Sequence, residues 1–313
     1  MIRPSAGLLA FGLFAAACTG TGDIATAETA TDSAEPPSCT DTHEGRETFQ
    51  YRELSVEELS NDIEVNDVSL DVWASPNAQD CPIVLWVHGG SWVAGGKFTQ
   101  LTREVKAPHF IDSGHIFVSV NYRLASDEND VRWPVFGDDL AAATDWVIDN
   151  AELIGGDPSR VSLIGHSAGA HLVSIVGTNP TLLENHGRTP SDVSCVVSLD
   201  SVTHVLNDPP PWEVGIIDFA FPTEDQQIDG SPTLQAQEHA DADSPDYLIV
   251  TRGRDERIDS SNLLATTLND RGATAEVADV SPYDHSQVST ELGVPGEAIV
   301  TPIVDDFLAS CAS

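Results

Sequence analysis

Lysine is almost missing from this chain: Lys97 and Lys106 are the only two in 313 residues. Positive charge is scarce altogether, with 14 Lys and Arg against 50 Asp and Glu and a formal net charge of -36. A surface of one sign repels nucleic-acid phosphates and anionic lipid headgroups, which excludes both as partners recognised through charge. Long apolar runs are missing too. The longest, Ala6 to Ala17, is too short to span a bilayer as a helix. No closely spaced cysteine pair and no H-E-x-x-H occurs, so no metal site is expected. Ala94-Gly95-Gly96-Lys97 is too incomplete for a phosphate loop, because no G-x-x-x-x-G-K-[ST] is present. Internal repeats are absent. Hydrophobic residues nevertheless make up 41%, enough for a substantial core.

The N-terminus has the form of an export signal. Arg3 supplies a positive start, and the apolar run ends in Phe14-Ala15-Ala16-Ala17-Cys18. Small residues before a cysteine resemble a bacterial lipobox, whereas Ala15-Ala16-Ala17 also suits an ordinary A-x-A signal peptidase. Cysteine parity favours the first. Of Cys18, Cys39, Cys81, Cys195 and Cys311, lipid on Cys18 leaves four, an even number for disulfides outside the cytoplasm. The expected organisation is a signal with lipobox over 1–18, a flexible acidic tether over 19–45 rich in Thr, Ala, Ser, Asp and Glu, and one folded domain over 46–313. Lipid on Cys18 would attach the protein peripherally to the cell envelope; without it the protein would be secreted or periplasmic.

Within the domain, strand-like and helix-like segments alternate. Strands are expected at Ile63–Trp73, Ile83–Val87, Ile116–Val120, Val161–Ile164, Cys195–Leu199, Tyr247–Val250 and Ala275–Val280. Helices are expected at Val135–Leu153, Ser167–Val176, Ser260–Asp270 and Glu297–Ala309. This alternation predicts an α/β domain, a mostly parallel central sheet with helices on both faces. Cys81 and Cys195 each lie at or near a strand's start and Cys311 ends a helix running back, so all three belong on the side opposite the strand ends that bear function. Cys39–Cys81 with Cys195–Cys311 is the preferred of the three pairings.

Gly165-His166-Ser167-Ala168-Gly169 fits G-x-S-x-G, a pattern that chance alone gives in roughly one such chain in seven. Its setting adds weight: a buried strand ends just before it and an apolar helix starts just after, the arrangement that lifts a serine oxygen above a sheet. Ser167 is therefore the candidate nucleophile. His88-Gly89-Gly90-Ser91-Trp92 follows another strand. Its glycines let main-chain N–H groups approach an oxyanion, and Gly89, Gly90 and Ala168 are the candidate donors. A serine needs a base and the base a carboxylate, in the chain order Ser, acid, His. His285, the last histidine, follows the strand ending at Val280 and is the candidate base. Asp255, after the strand Tyr247–Val250, is the candidate acid, with Glu256 as its neighbour alternative. His88, His166 and His171 are expected to be structural. Trp92, Trp133 and the segment 207–222 could shape a pocket, although core packing suits each of them as well.

With these motifs in place the chain resembles the α/β-hydrolase superfamily, nearest to bacterial esterases grouped with kynurenine formamidase-like enzymes. The likeness is carried by His88-Gly89-Gly90-Ser91-Trp92, Asn121-Tyr122-Arg123-Leu124, Gly156-Asp157-Pro158 and Gly165 to Leu172. The family often has His-Gly before its acid, where this chain has Arg252-Gly253. The resemblance implies a serine triad, no cofactor, and hydrolysis of small acyl or formyl substrates. A small carboxylic ester is the expected substrate. Two alternatives are an arylformamidase or other amidase with the same triad, and a catalytically silent surface binding module.

The acidity has two readings. Self-repulsion at this charge is relieved by salt, which points to a salty habitat, or the charge merely keeps the protein soluble. Thermal melting at low and high salt separates them: a midpoint that climbs with salt supports the first, and one that stays flat ends it.

Overall fold

The computed structural model describes residues 38–40, 45–61 and 63–311. Cys18, the signal and most of the expected tether lie outside them. Eight strands form one sheet in the order β1-β2-β4-β3-β5-β6-β7-β8. They are β1 (Glu47–Gln50), β2 (Ser69–Trp73), β3 (Cys81–Val87), β4 (Ile116–Val120), β5 (Gly156–His166), β6 (Cys195–Leu199), β7 (Asp246–Thr251) and β8 (Ala275–Asp279). β1 and β2 pair antiparallel, β2 joins β4 antiparallel, and every pairing from β4 through β3 to β8 is parallel. Eleven α-helices surround the sheet among the described residues: α1 (Val56–Ser60), α2 (Ala107–Asp112), α3 (Val135–Asp149), α4 (Ala168–Thr178), α5 (Pro180–Glu184), α6 (Val214–Ala220), α7 (Glu224–Asp229), α8 (Pro232–His239), α9 (Asp255–Arg271), α10 (His285–Thr290) and α11 (Val300–Cys311).

The pleat explains the two-sided core. Side chains alternate across a strand. Ile83, Leu85 and Val87 of β3 join one apolar cluster with Leu140 of α3, Leu172 of α4 and Leu264 of α9. Val84 and Trp86 join the other, with Phe110 of α2 and Val304 of α11. A strand buried on both faces needs the unbroken apolar run seen in the sequence.

The elements depart from expectation where local capping competes with periodicity. The expected strand Ile63–Trp73 begins only at Ser69, because Asp67 and Glu64 close a capping box over a 3-10 turn at Val65–Val68. β1 has only four residues, three of them exposed, so it left no apolar run to read. α6, α7 and α8 are short and start at turn chemistry such as the Thr223 cap.

Two disulfides are present, Cys39–Cys81 and Cys195–Cys311, closing sequence separations of 42 and 116 residues. Cys81 opens β3 and Cys195 opens β6, so both lie at the amino ends of parallel strands. Cross-links of this loop length stabilise mainly by restricting the unfolded chain. Replacing Cys195 and Cys311 together by serine should lower the unfolding free energy by about 2–4 kcal/mol, read from urea denaturation. An unchanged urea midpoint would show that the bond contributes nothing.

Candidate active site

The site lies at the carboxyl ends of the strands, where ligands gather in open parallel sheets. Ser167 sits between β5 and α4 with φ 57° and ψ -120°, a conformation L-residues rarely adopt. Two close backbone approaches enforce it. A Cβ at Gly165 would fall 2.1 Å from Gly169 O, and one at Gly169 would fall 2.2 Å from Val87 O. Both glycines of the motif are thus steric necessities, and they hold the turn that presents the hydroxyl. Ser167 N donates to Leu199 O at 3.0 Å, fastening the turn to β6.

His285, the first residue of α10, approaches from the loop after β8. Its Nε2 lies 2.9 Å from Ser167 Oγ. Its Nδ1 lies 2.6 Å from a carboxylate oxygen, and that oxygen belongs to Asp200. The expected acid, Asp255, is not there: it is an exposed residue in the first turn of α9, where its charge faces the helix N-terminus. Glu256 beside it is exposed as well. Asp284 does not turn towards the ring either; its side chain caps α10 by accepting from Gln287 N.

Asp200 directly follows β6, with φ 53°, and its side chain is fully buried. The loop after β7 serves it with cations instead of supplying an acid. Arg252 Nε donates to Oδ2 at 2.8 Å, and Arg257 Nη1 to Oδ1 at 3.2 Å. Burial alone would push this carboxyl up. The His285 hydrogen bond, the Arg257 charge and the Arg252 hydrogen bond outweigh it and hold the group below its ordinary value. Arg252, directly after β7, thus accompanies an acid supplied by the neighbouring strand β6. The strand end at Leu199-Asp200 was visible in the sequence, but so was every other acidic residue after a strand.

The proposed oxyanion donors line the same crevice. A Cβ at Gly89 would lie 2.8 Å from His166 O and 3.0 Å from Ser167 Cβ, so only glycine brings this main chain so near the serine. Gly90 has φ 120°, and a Cβ there would fall 1.9 Å from Ala94 O. Ala168 begins α4, so its N–H has no partner a turn back in the helix. Two cavities meet at Ser167, Ser91 and His285. One of about 430 Å³ runs past Gly89, Gly90, Gly96, Trp86 and Lys106. The other, about 200 Å³, runs past Ala168, Ser201, Thr203, Glu213 and Arg257. Of the aromatic candidates, Trp92 reaches the smaller cavity although only 2% exposed, and Trp133 is core, its Nε1 donating to Asp229 at 2.7 Å.

The other motif residues brace the site. Tyr122 stacks under the His88 ring with centroids 4.4 Å apart and donates to His88 O at 3.1 Å. Arg123 clamps Asp139 through Nε at 2.8 Å and also meets Glu58. His166 Nε2 donates to His285 O at 2.8 Å, which fixes the base from its main chain. His171 is buried and donates to Gly230 O at 2.7 Å.

Comparison with known proteins agrees with this architecture. The BD-FAE family model matches residues 70–268. The chain belongs to the BD-FAE family. It is 31% identical over 266 residues to carboxylesterase NlhH of Mycobacterium tuberculosis, covering 80% of each chain. Among solved structures it is similar to EstE1, a thermophilic carboxylesterase from a metagenomic library, at 26% identity and a TM-score of 0.61 over 78% of this chain and 83% of that one. A hyperthermophilic esterase from the archaeon Pyrobaculum calidifontis shares the fold, with 22% identity and a TM-score of 0.62 over 78% and 80%.

Burial holds several of these histidines neutral. It pushes His88, His166 and His204 down to about 4 and His171 to about 3. The unfolded chain binds those protons below about 6.5, so stability is complete above that pH and is lost as pH falls towards 4. The carboxylates with lowered values, buried Asp200 and part-exposed Glu58, Asp157 and Glu297, lose their contribution mainly below about pH 4.5. The urea midpoint should drop steeply between pH 6.5 and 4.5, measured near 1 M salt so that self-repulsion is screened. A flat profile there contradicts the neutral assignment.

Proposed function

We propose that this carboxylic ester hydrolase works through Ser167 as nucleophile, His285 as general base and Asp200 as the carboxylate that orients it. The observation that carries the reading is the unbroken line of hydrogen bonds from Asp200 Oδ2 to His285 Nδ1 at 2.6 Å and from His285 Nε2 to Ser167 Oγ at 2.9 Å. His285 accepts the serine proton as Oγ attacks the acyl carbon. The main-chain N–H groups of Gly89, Gly90 and Ala168 receive the oxyanion. The protonated ring then gives its proton to the departing alcohol, and the acyl group stays on Ser167. Water, deprotonated by the same ring, releases the acid. The two cavities that meet at Ser167 supply separate room for the acyl and alcohol parts, consistent with small esters. Asp200 stabilises the imidazolium, and its two arginines keep its oxygens aimed at the ring.

Export with a lipid anchor belongs to the same proposal. Two disulfides use four of the five cysteines, leaving Cys18, and such bonds persist in oxidising compartments. A lipid on Cys18 would hold the enzyme at the envelope while it acts on soluble esters.

Three variants test the triad against short p-nitrophenyl esters. Ser167→Ala should lower kcat by about 10⁶, Asp200→Asn by about 10⁴, and Asp255→Asn by less than twofold. Activity that survives Asp200→Asn but collapses in Asp255→Asn would restore the acid to the β7 loop and overturn this assignment.

A further inference from the structure

The two lysines have opposite surroundings. Lys97 Nζ lies 2.8 Å from Asp71 Oδ1, a buried ion pair. Lys106 is just as buried, at 1% exposure, yet among the described residues no carboxylate meets it. Its Nζ donates to Ser289 O at 2.6 Å and, weakly, to Leu292 O at 3.5 Å, and it stands 4.5 Å from the centre of the Trp86 ring. Two carbonyls and the face of the Trp86 ring surround the amine, and the gap in its surroundings is an anion to balance its charged form. Buried cations are ordinarily paired with an anion. Lys106 closes the π-helical turn Thr102–Lys106, which leads into α2.

The position of the gap gives it meaning. Lys106, Trp86 and Ser289 line the same 430 Å³ cavity as Gly89, Gly90, Ser167 and His285. Burial pushes the lysine down to about 7, and an entering anion would favour its charged form. We propose that this cavity receives the carboxylate-bearing part of an anionic ester, with Lys106 as its counter-ion. The inference rests on the ester-hydrolase reading of Ser167 and names the substrate class: half-esters of dicarboxylic acids, with the charge on the acyl side, or esters of hydroxy acids, with the charge on the alcohol side. The chain's net charge of -36 opposes such substrates at long range, so their recognition has to come from a cation inside the pocket.

The test compares kcat/KM of the full chain for neutral phenyl butyrate, for phenyl hemisuccinate and for 4-carboxyphenyl butyrate. Relative to the neutral ester, Lys106→Met should reduce turnover of one anionic ester by about tenfold or more, the value of a charged hydrogen bond, and Lys106→Arg should recover part of it. The ester that responds identifies the side that enters the cavity. An equal loss for all three esters would overturn the proposal, because Lys106 would then act only through the α10 carbonyl on His285. Should Lys106→Met not fold, the native chain answers: succinate should inhibit phenyl butyrate hydrolysis about tenfold more strongly than neutral succinamide, and equal inhibition overturns the proposal. No turnover of any ester by the native chain would sink the parent reading as well, whereas an unchanged ratio sinks this one alone.

Discussion

The contact between the start of α4 and the end of β3 governs the rest of the site. With no side chain at Gly169, the helix begins against Val87 O and His88 O, closer than any Cβ permits. Gly165 likewise passes Gly169 O. Between these approaches the chain has one way to turn, and it leaves Ser167 at φ 57° with its hydroxyl directed outward. Strain of this kind persists only when the surroundings over-determine it. Here the loop after β3, β6 and α4 all hold the turn, through Gly89, Leu199 and His171 N.

A second constraint sets the acid. A fully buried carboxylate is costly unless its charge is matched. Asp200 is matched by His285, Arg252 and Arg257, all three supplied by the loops or helix starts after β7 and β8. One strand contributes the anion, the elements after β7 contribute the two arginine cations, and His285 adds a hydrogen bond. His166 adds a brace that carries no charge, because burial keeps its ring neutral.

The sequence was most legible where sterics and chain order leave few choices. The G-x-S-x-G elbow, the Gly89-Gly90 approach and the last histidine each answer to a local rule, and the structure brings Ser167 and His285 within 2.9 Å. The disulfide pairing preferred among the three possible is the one present, although no predicted element placed Cys39. The acid was not legible. Asp200 and Asp255 both follow parallel strands, and only the three-dimensional position of the His285 ring separates them. The Arg252-Gly253 departure was visible, but its meaning depended on a partner 52 residues away. The short helices of 214–239 escaped because caps and turns, not apolar periodicity, define them. Trp133 read equally well as pocket or core, and burial decided for core.

The sheet separates two duties by direction. Covalent fastening, at Cys81 and Cys195, sits at the amino ends of β3 and β6, while Gly89, Ser167, Asp200 and His285 all sit beyond carboxyl ends. Loops on the rim that carries chemistry can lengthen, shorten or exchange residues without disturbing the sulfur bonds below. Selection can therefore retune what this scaffold accepts while its foundation stays intact.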